Sequence, residues 1–254
     1  MPRYFSEIAY DGAAYHGWQV QANAVTVQAV LEERLATLLQ RQVETVGCGR
    51  TDTGVHAEQF FLHFDLPGPL PEDRDLVHAL NRILPPDIAV QRVFPVADNA
   101  HARFDATERV YRYRVVHRKD PFLRFRHCHL PVVPDYTRMN AAARLLLGRQ
   151  DFSCFSKAHT QTVTNDCTVI RAAWQETGKG IWDFEIAADR FLRNMVRAVV
   201  GTLLEIGLGR MDEQGLRDLL QSGSRQDAGR SMPAHGLSLV AVRYPFTEER
   251  RDHG

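Results

Sequence analysis

The alternation of apolar and polar positions changes period along the chain, and each change marks an element. Residues 3–10, RYFSEIAY, are rich in aromatic and β-compatible side chains and predict a strand, closed by Asp11-Gly12. Tyr15-His16-Gly17-Trp18-Gln19 follows as a loop expected to expose its two aromatic rings. Thr26 is a suitable N-cap, and after it Val27, Val30, Leu31, Leu35, Leu38 and Leu39 recur at helical spacing. A short strand over 43–46 precedes a glycine-rich connection, and a strand over 58–65 follows it, with Phe60, Leu62 and Phe64 alternating against Phe61 and His63. Pro67, Pro69 and Pro71 interrupt the pattern. A helix over 73–83, Pro85-Pro86 and a strand over 88–96 come next.

That order is β-α-β-β-α-β, the split ferredoxin-like arrangement. It occurs again in strand 109–117, helix 135–147, strands 166–177 and 181–188, helix 191–207, an extra helix over 212–221 and a last strand over 237–244. No residue-level repeat accompanies it, so the match is one of topology. The expectation is an α+β fold of two ferredoxin-like halves, residues 1–104 and 105–246, with antiparallel sheets flanked by helices and a catalytic cleft between the halves. The polar tail, 247–254, is expected to be disordered.

Composition narrows the class. At 254 residues and 44% hydrophobic, the chain can bury a proper core as one large domain or two small ones. Lys plus Arg and Asp plus Glu both number 31, so bulk charge neither favours nor excludes nucleic acid. Cys48, Cys128, Cys154 and Cys167 form no C-x-x-C and suggest no disulfide framework; reduced thiols are the simplest reading. With no apolar run at the N-terminus and none approaching the roughly 20 residues of a membrane helix, a cytoplasmic protein with no membrane association is expected.

The chemistry is expected in Gly47-Cys48-Gly49-Arg50-Thr51-Asp52-Thr53-Gly54-Val55-His56-Ala57, where three glycines surround one carboxylate. Arg50 lies two residues before Asp52, so an extended chain points both to one side. A guanidinium there favours an ionised Asp52, able to act as nucleophile, base or metal ligand. The alternative is a glycine-rich connection whose Asp caps a turn. Asp52-Thr53-Gly54 is also the triplet of aspartic proteases, but those need two carboxylates sharing a proton, and Arg50 opposes that sharing.

Positive charge is uneven. Between Arg103 and Arg126 there are eight Lys or Arg against three Asp or Glu, an excess of five. On a strand, Tyr111 and Tyr113 share one face and Arg112 and Arg114 the other. Interleaved rings and guanidinium groups suit RNA; core tyrosines over a solvated basic face are the alternative. In helix 191–207, Phe191, Leu192, Met195, Val196, Val199, Leu203 and Ile206 define an apolar stripe. Arg193 and Arg197 are four apart and are expected one above the other, facing an acid or phosphate, or solvent. His127-Cys128-His129 can place two histidines on one side of a strand, but a structural zinc needs four ligands and no second pair is suitably spaced, so no metal is expected.

Taken together, these pieces resemble the tRNA pseudouridine synthase A family over nearly the whole chain. The loop Gly49–Ala57 is similar to the family's signature. Tyr10-Asp11-Gly12, Gly17-Trp18-Gln19, Thr26-Val27-Gln28, Asn81, Leu84-Pro85 and His101-Ala102-Arg103-Phe104 accompany it, followed by Tyr111-Arg112-Tyr113, Asp151-Phe152, Met195-Val196-Arg197, Val200-Gly201 and Gly236-Leu237. Thr53, Ala13 and Gln150 stand where the family often has Ala, Thr and His.

The resemblance implies isomerisation of uridine to pseudouridine in the anticodon stem-loop of tRNA, at tRNA positions 38 to 40, by a homodimer without a cofactor. It implies Asp52 as nucleophile or base, Arg197 as its ion-pair partner, Tyr111 stacked on the target base and Arg50 displacing the nucleotide from its stem. Arg103, Arg112 and Arg193 are expected to contact RNA. A non-catalytic RNA-binding protein is the competing reading. Asp52 separates the two, because a carboxylate beside bound phosphates only repels them.

Overall fold

The structure is a computed structural model that describes residues 1–70, 75–121, 125–157 and 164–246. In chain order its elements are β1 (Arg3–Tyr10), α1 (Val27–Leu39), β2 (Val46–Gly47), β3 (His56–Asp65), α2 (Leu76–Ile83), β4 (Ile88–Val96), β5 (Glu108–Val116), β6 (Cys128–His129), α3 (Tyr136–Ala143), β7 (Gly148–Asp151), β8 (Asp166–Gly178), β9 (Ile181–Ala188), α4 (Met195–Gly207), α5 (Glu213–Ser222) and β10 (Leu237–Arg243). The fold is α+β. It divides into two units, one of Met1–Thr107 with the chain from Leu239 on, the other Glu108–Ser238. The last strand, placed with the second half from chain order, therefore has five of its seven residues, from Leu239 on, in the first unit.

In the first unit the strand order is β4-β1-β3-β10, and β2 pairs separately with β3. The β1 ladders to β3 and β4 are antiparallel, with Phe5 opposite His63 and Phe94. Phe60, Phe61, Leu62, His63 and Phe64 are all buried, so β3 is covered on both faces rather than on one. Thr26 caps α1 by accepting from Ala29 N–H, and Val27, Leu31 and Leu35 form its buried stripe. Asp75 caps α2 in the same way, through His78 N–H; the residues just before it lie outside the described ones.

Strand β2 is shorter than expected because its lead-in bonds to side chains instead of a ladder. Glu32 Oε1 accepts from Thr45 N–H at 2.8 Å and from its hydroxyl at 2.9 Å, and Gln28 Nε2 donates to Thr45 O at 2.9 Å. Tyr15 and Trp18, expected to be exposed, are buried at 5% and 2% relative exposure. Tyr15 donates its hydroxyl to Asp87, and Trp18 packs on Phe60 with ring centroids 4.3 Å apart.

In the second unit β5, β9, β8 and β7 are adjacent in that order and antiparallel, with β6 parallel to β5. Helix α3 stops at Ala143; a 3-10 turn then leads to Gly148 at φ 89° and the unforeseen strand β7. The core on the helix side stacks Tyr136 on Trp182 at 3.7 Å and 3°. Helix α4 is buried almost all round. Its Gly201 makes this possible, since a Cβ there would sit 1.8 Å from Arg230 O. The expected tail, 247–254, lies outside the described residues. No helix among those described is long and apolar enough to cross a membrane.

Candidate active site

Asp52 sits in a turn clamped from behind. Val55 N–H donates to Asp52 O at 3.1 Å, and Gly54 takes φ 78°, a conformation that favours glycine. Gly54 N–H donates to Tyr15 O, and Trp18 N–H to Thr51 O. The Thr51 hydroxyl lies 2.8 Å from that of Tyr10, and both groups are buried. Gly17, at φ 85°, brings its backbone so close that a Cβ would be 2.3 Å from Thr51 O and 3.2 Å from Asp52 C. On the other side Cys48 N–H donates to Phe61 O at 2.7 Å, and Gly47 lies under the Trp18 indole.

The loop re-enters β3 at buried His56. Its Nδ1 lies 2.9 Å from Asp11 Oδ1 and 3.1 Å from Gly12 N, so it donates to the first or accepts from the second, not both at once. Everything around Asp52 is thus fixed by backbone bonds and aromatic packing, while the carboxylate itself is half-buried. Arg50, expected beside it, is exposed and forms no ion pair with it. The chain from Cys48 to Asp52 is irregular rather than extended, so two-residue spacing does not put the two side chains together.

The second unit carries the remaining expected residues. Tyr111 is half-buried on β5, with Phe191 edge-on to its ring at 5.1 Å. Tyr113, two residues on, points the same way but is fully buried and donates its hydroxyl to Pro233 O at 2.9 Å. Burial pushes the Tyr113 phenol far above its ordinary range, so it stays a neutral donor. Of the two tyrosines, only Tyr111 retains exposed surface.

Arg197 lies in the first turns of α4. Its Nε donates to Met232 O at 2.6 Å, and its carbonyl accepts from Met232 N–H at 3.1 Å. That double tie fixes the root of the guanidinium. Arg193 does not stack on it as expected. Asn194 turns the backbone to φ 68° just before the helix starts, so Arg193 belongs to the preceding segment and is exposed there. Asn194 holds this turn by donating to Ser231 Oγ at 2.7 Å.

The basic face of β5 is partly neutralised. Arg114 binds both oxygens of Asp183, at 2.8 and 2.7 Å, and Arg112 Nε lies 3.8 Å from the same carboxylate. Sequence spacing along β5 gives no sign of this, because the acid comes from the neighbouring strand β9. Arg103 is exposed on the β4–β5 connection, with its guanidinium 5.7 Å from the Phe104 ring. Among the described residues no three His, Cys, Asp or Glu gather as a metal site, and His127-Cys128-His129 contributes to none. The residues that sequence reasoning passed over are supports: Glu32, which holds Thr45 ahead of β2, and the Ser231–Pro233 segment, which holds Asn194, Arg197 and Tyr113.

The glycine-framed Asp52 lies in the first unit, and Tyr111 and the tethered Arg197 lie in the second. The family model described as tRNA pseudouridine synthase matches residues 8–105 and 142–245. A protein of Parabacteroides distasonis named tRNA pseudouridine synthase A is 49% identical over 245 residues, 96% of this chain and 97% of its own. One of Bacteroides thetaiotaomicron with the same name is 49% identical over 99% of this chain and 95% of its own. One of Bacillus subtilis, again so named, is 39% identical over 93% of this chain and 97% of its own. This chain belongs to the tRNA pseudouridine synthase family, whose members are isomerases.

Proposed function

We propose that this chain isomerises uridine to pseudouridine in the anticodon arm of tRNA, at tRNA positions 38 to 40, with Asp52 as the catalytic carboxylate. The observation that carries this reading is the half-buried Asp52 on a turn fixed by Tyr15, Gly17 and Trp18, inside the segment that the family model matches. In the reaction the N1–C1′ bond breaks, the base turns, and C5 bonds to C1′. The proton lost from C5 is balanced by one gained at N1, so the reaction needs no external oxidant or reductant. Asp52 supplies the nucleophile or base. Arg197, its root held by Met232, serves as the ion-pair partner of that carboxylate, and Tyr111 stacks on the target base. Arg50, exposed and uncommitted to Asp52, fills the place of the extruded nucleotide, an extrusion that costs a few kcal/mol. Arg103, Arg112 and Arg193 lie along the RNA backbone. The working form is a homodimer with one tRNA touching both subunits; a cytoplasmic location is in keeping with four buried cysteines that form no disulfide.

Single-turnover rate against filter-binding affinity, on unmodified tRNA transcripts, tests the assignment. Asp52→Asn is expected to lose several powers of ten in rate and keep its affinity. Arg197→Met is expected to lose turnover by misplacing the carboxylate. Tyr111→Phe is expected to bind tRNA normally. An Asp52→Asn protein that isomerises uridine at the wild-type rate overturns the mechanism. A wild-type protein that binds tRNA and forms no pseudouridine makes the chain a binder instead.

A further inference from the structure

Phe104 is 74% exposed, yet the backbone that carries it is tied down throughout. Arg103 N–H and Phe104 N–H both donate to His101 Nδ1, at 3.1 and 3.2 Å. Asp105 Oδ2 accepts from His101 N–H at 2.7 Å, and Asp105 N–H donates back to His101 O at 3.0 Å. Buried His63 accepts from Ala102 N–H at 3.1 Å, and buried Tyr244 donates to Ala102 O at 2.6 Å. Burial holds the His101 imidazole below its ordinary range, so Nδ1 stays an acceptor for the two N–H groups. The result is a rigid turn that holds one large apolar ring in water.

Its surroundings select the occupant. The His101 ring lies 4.2 Å from the Phe104 centroid, and the Arg103 guanidinium lies 5.7 Å from it. The exposed neighbours along the turn, Arg103 and Thr107, are polar. A protein partner needs roughly 800 Å² on each side around an apolar centre. A lone ring beside a cation instead matches a nucleobase with its phosphate. We infer that Phe104 is a stacking platform for an unpaired nucleobase of the tRNA, with Arg103 on the adjoining phosphate. This rests on the reading of tRNA as substrate.

The platform is not part of the catalytic loop. Its anchor His63 is seven residues along β3 from His56, which closes that loop, and seven residues of strand span about 23 Å. It therefore grips RNA away from the target uridine and acts on binding rather than on chemistry.

The test is steady-state kinetics, thermal melting and filter binding on whole tRNA transcripts with Phe104→Ala, Phe104→Tyr and Phe104→Trp. Phe104→Ala is expected to raise KM and Kd about tenfold, with kcat and melting temperature unchanged. Tyrosine and tryptophan are expected to restore affinity, and the introduced indole to be quenched on adding tRNA. Wild-type affinity in Phe104→Ala, a fall in kcat at constant KM, or conversion of a dimer to a monomer by light scattering would each overturn the inference. Filter binding keeps it testable apart from turnover: a wild-type protein that binds tRNA without isomerising it refutes the catalytic reading and leaves the platform standing.

Discussion

Gly17→Ala separates the geometry of the proposed catalytic loop from general stability. Gly17 has φ 85°, and its missing Cβ would lie 2.3 Å from Thr51 O, about 1 Å inside an ordinary C···O contact of about 3.3 Å. Alanine in that left-handed conformation costs about 1–2 kcal/mol. The remaining cost must be met by moving the Thr51–Asp52 backbone, since the obstructing atom is main chain and Gly54 and Val55 pin the other side. A catalytic group displaced by about 1 Å loses on the order of 100-fold in rate. Gly148→Ala is the control, because Gly148 has φ 89° with nothing within 4 Å of its Cβ position. Both variants are expected to melt a few degrees lower, at about 2–4 °C per kcal/mol. Only Gly17→Ala is expected to lose about 100-fold in single-turnover rate at a temperature where both are folded. Equal rates in the two variants would show that the close approach of Gly17 to Thr51 does not position Asp52, and the argument from the clamp would fail.

Three further expectations follow from buried charge and exposed cations. Burial lowers the His63 imidazole from 6.5 to about 4, so the folded protein keeps it neutral where the unfolded chain binds a proton; stability is full above about pH 6.5 and falls towards pH 4, and chemical denaturation of His63→Gln across that window should show a flatter dependence. Asp183→Asn leaves the Arg112 and Arg114 guanidinium groups without their shared acid and is expected to cost about 1–3 kcal/mol by urea titration, less than a fully buried pair because both arginines are partly exposed. The protein is expected to scatter light as a homodimer at micromolar concentration, and its tRNA affinity to fall steeply with salt. In that titration Arg103→Ala should reduce the slope by about one, whereas Arg114→Ala, whose charge already serves Asp183, should leave it nearly unchanged.

The elements were legible where the pattern was local. Thr26 and the Val27, Leu31, Leu35 spacing place α1 to the residue, and the run 3–10 is β1. What escaped was set by contacts distant in sequence. Tyr15 and Trp18 look like loop aromatics until Asp87 and Phe60 cover them. Arg193 and Arg197 fit a helical face until the left-handed backbone of Asn194 separates them, and an asparagine gives little warning of that in sequence. The basic strand β5 cannot reveal that Asp183, 69 residues from Arg114, neutralises part of it. The glycines of the Asp52 loop were legible as glycines, but their reasons differ. Gly54 supplies a turn, whereas Gly49 has open space around its Cβ position.

The residues that carried the family resemblance sort by what they touch. Tyr10, Gly12, Gly17 and Trp18 reach the backbone or side chains of the Asp52 loop. Gln28 holds the lead-in to β2, and Asn81 clips α2 to both polar groups of Val90, at 2.7 and 2.8 Å. None of these is placed to do chemistry; each removes a freedom from the scaffold that carries Asp52. In the second unit Gly201 admits the Arg230 backbone, and the same segment brings Met232 to Arg197 and Pro233 to Tyr113. A single carboxylate, one ring and one guanidinium are too little to be recognised by themselves. Their supports are many, spread along the chain and fixed in kind by packing, so the scaffold is what makes the motif readable.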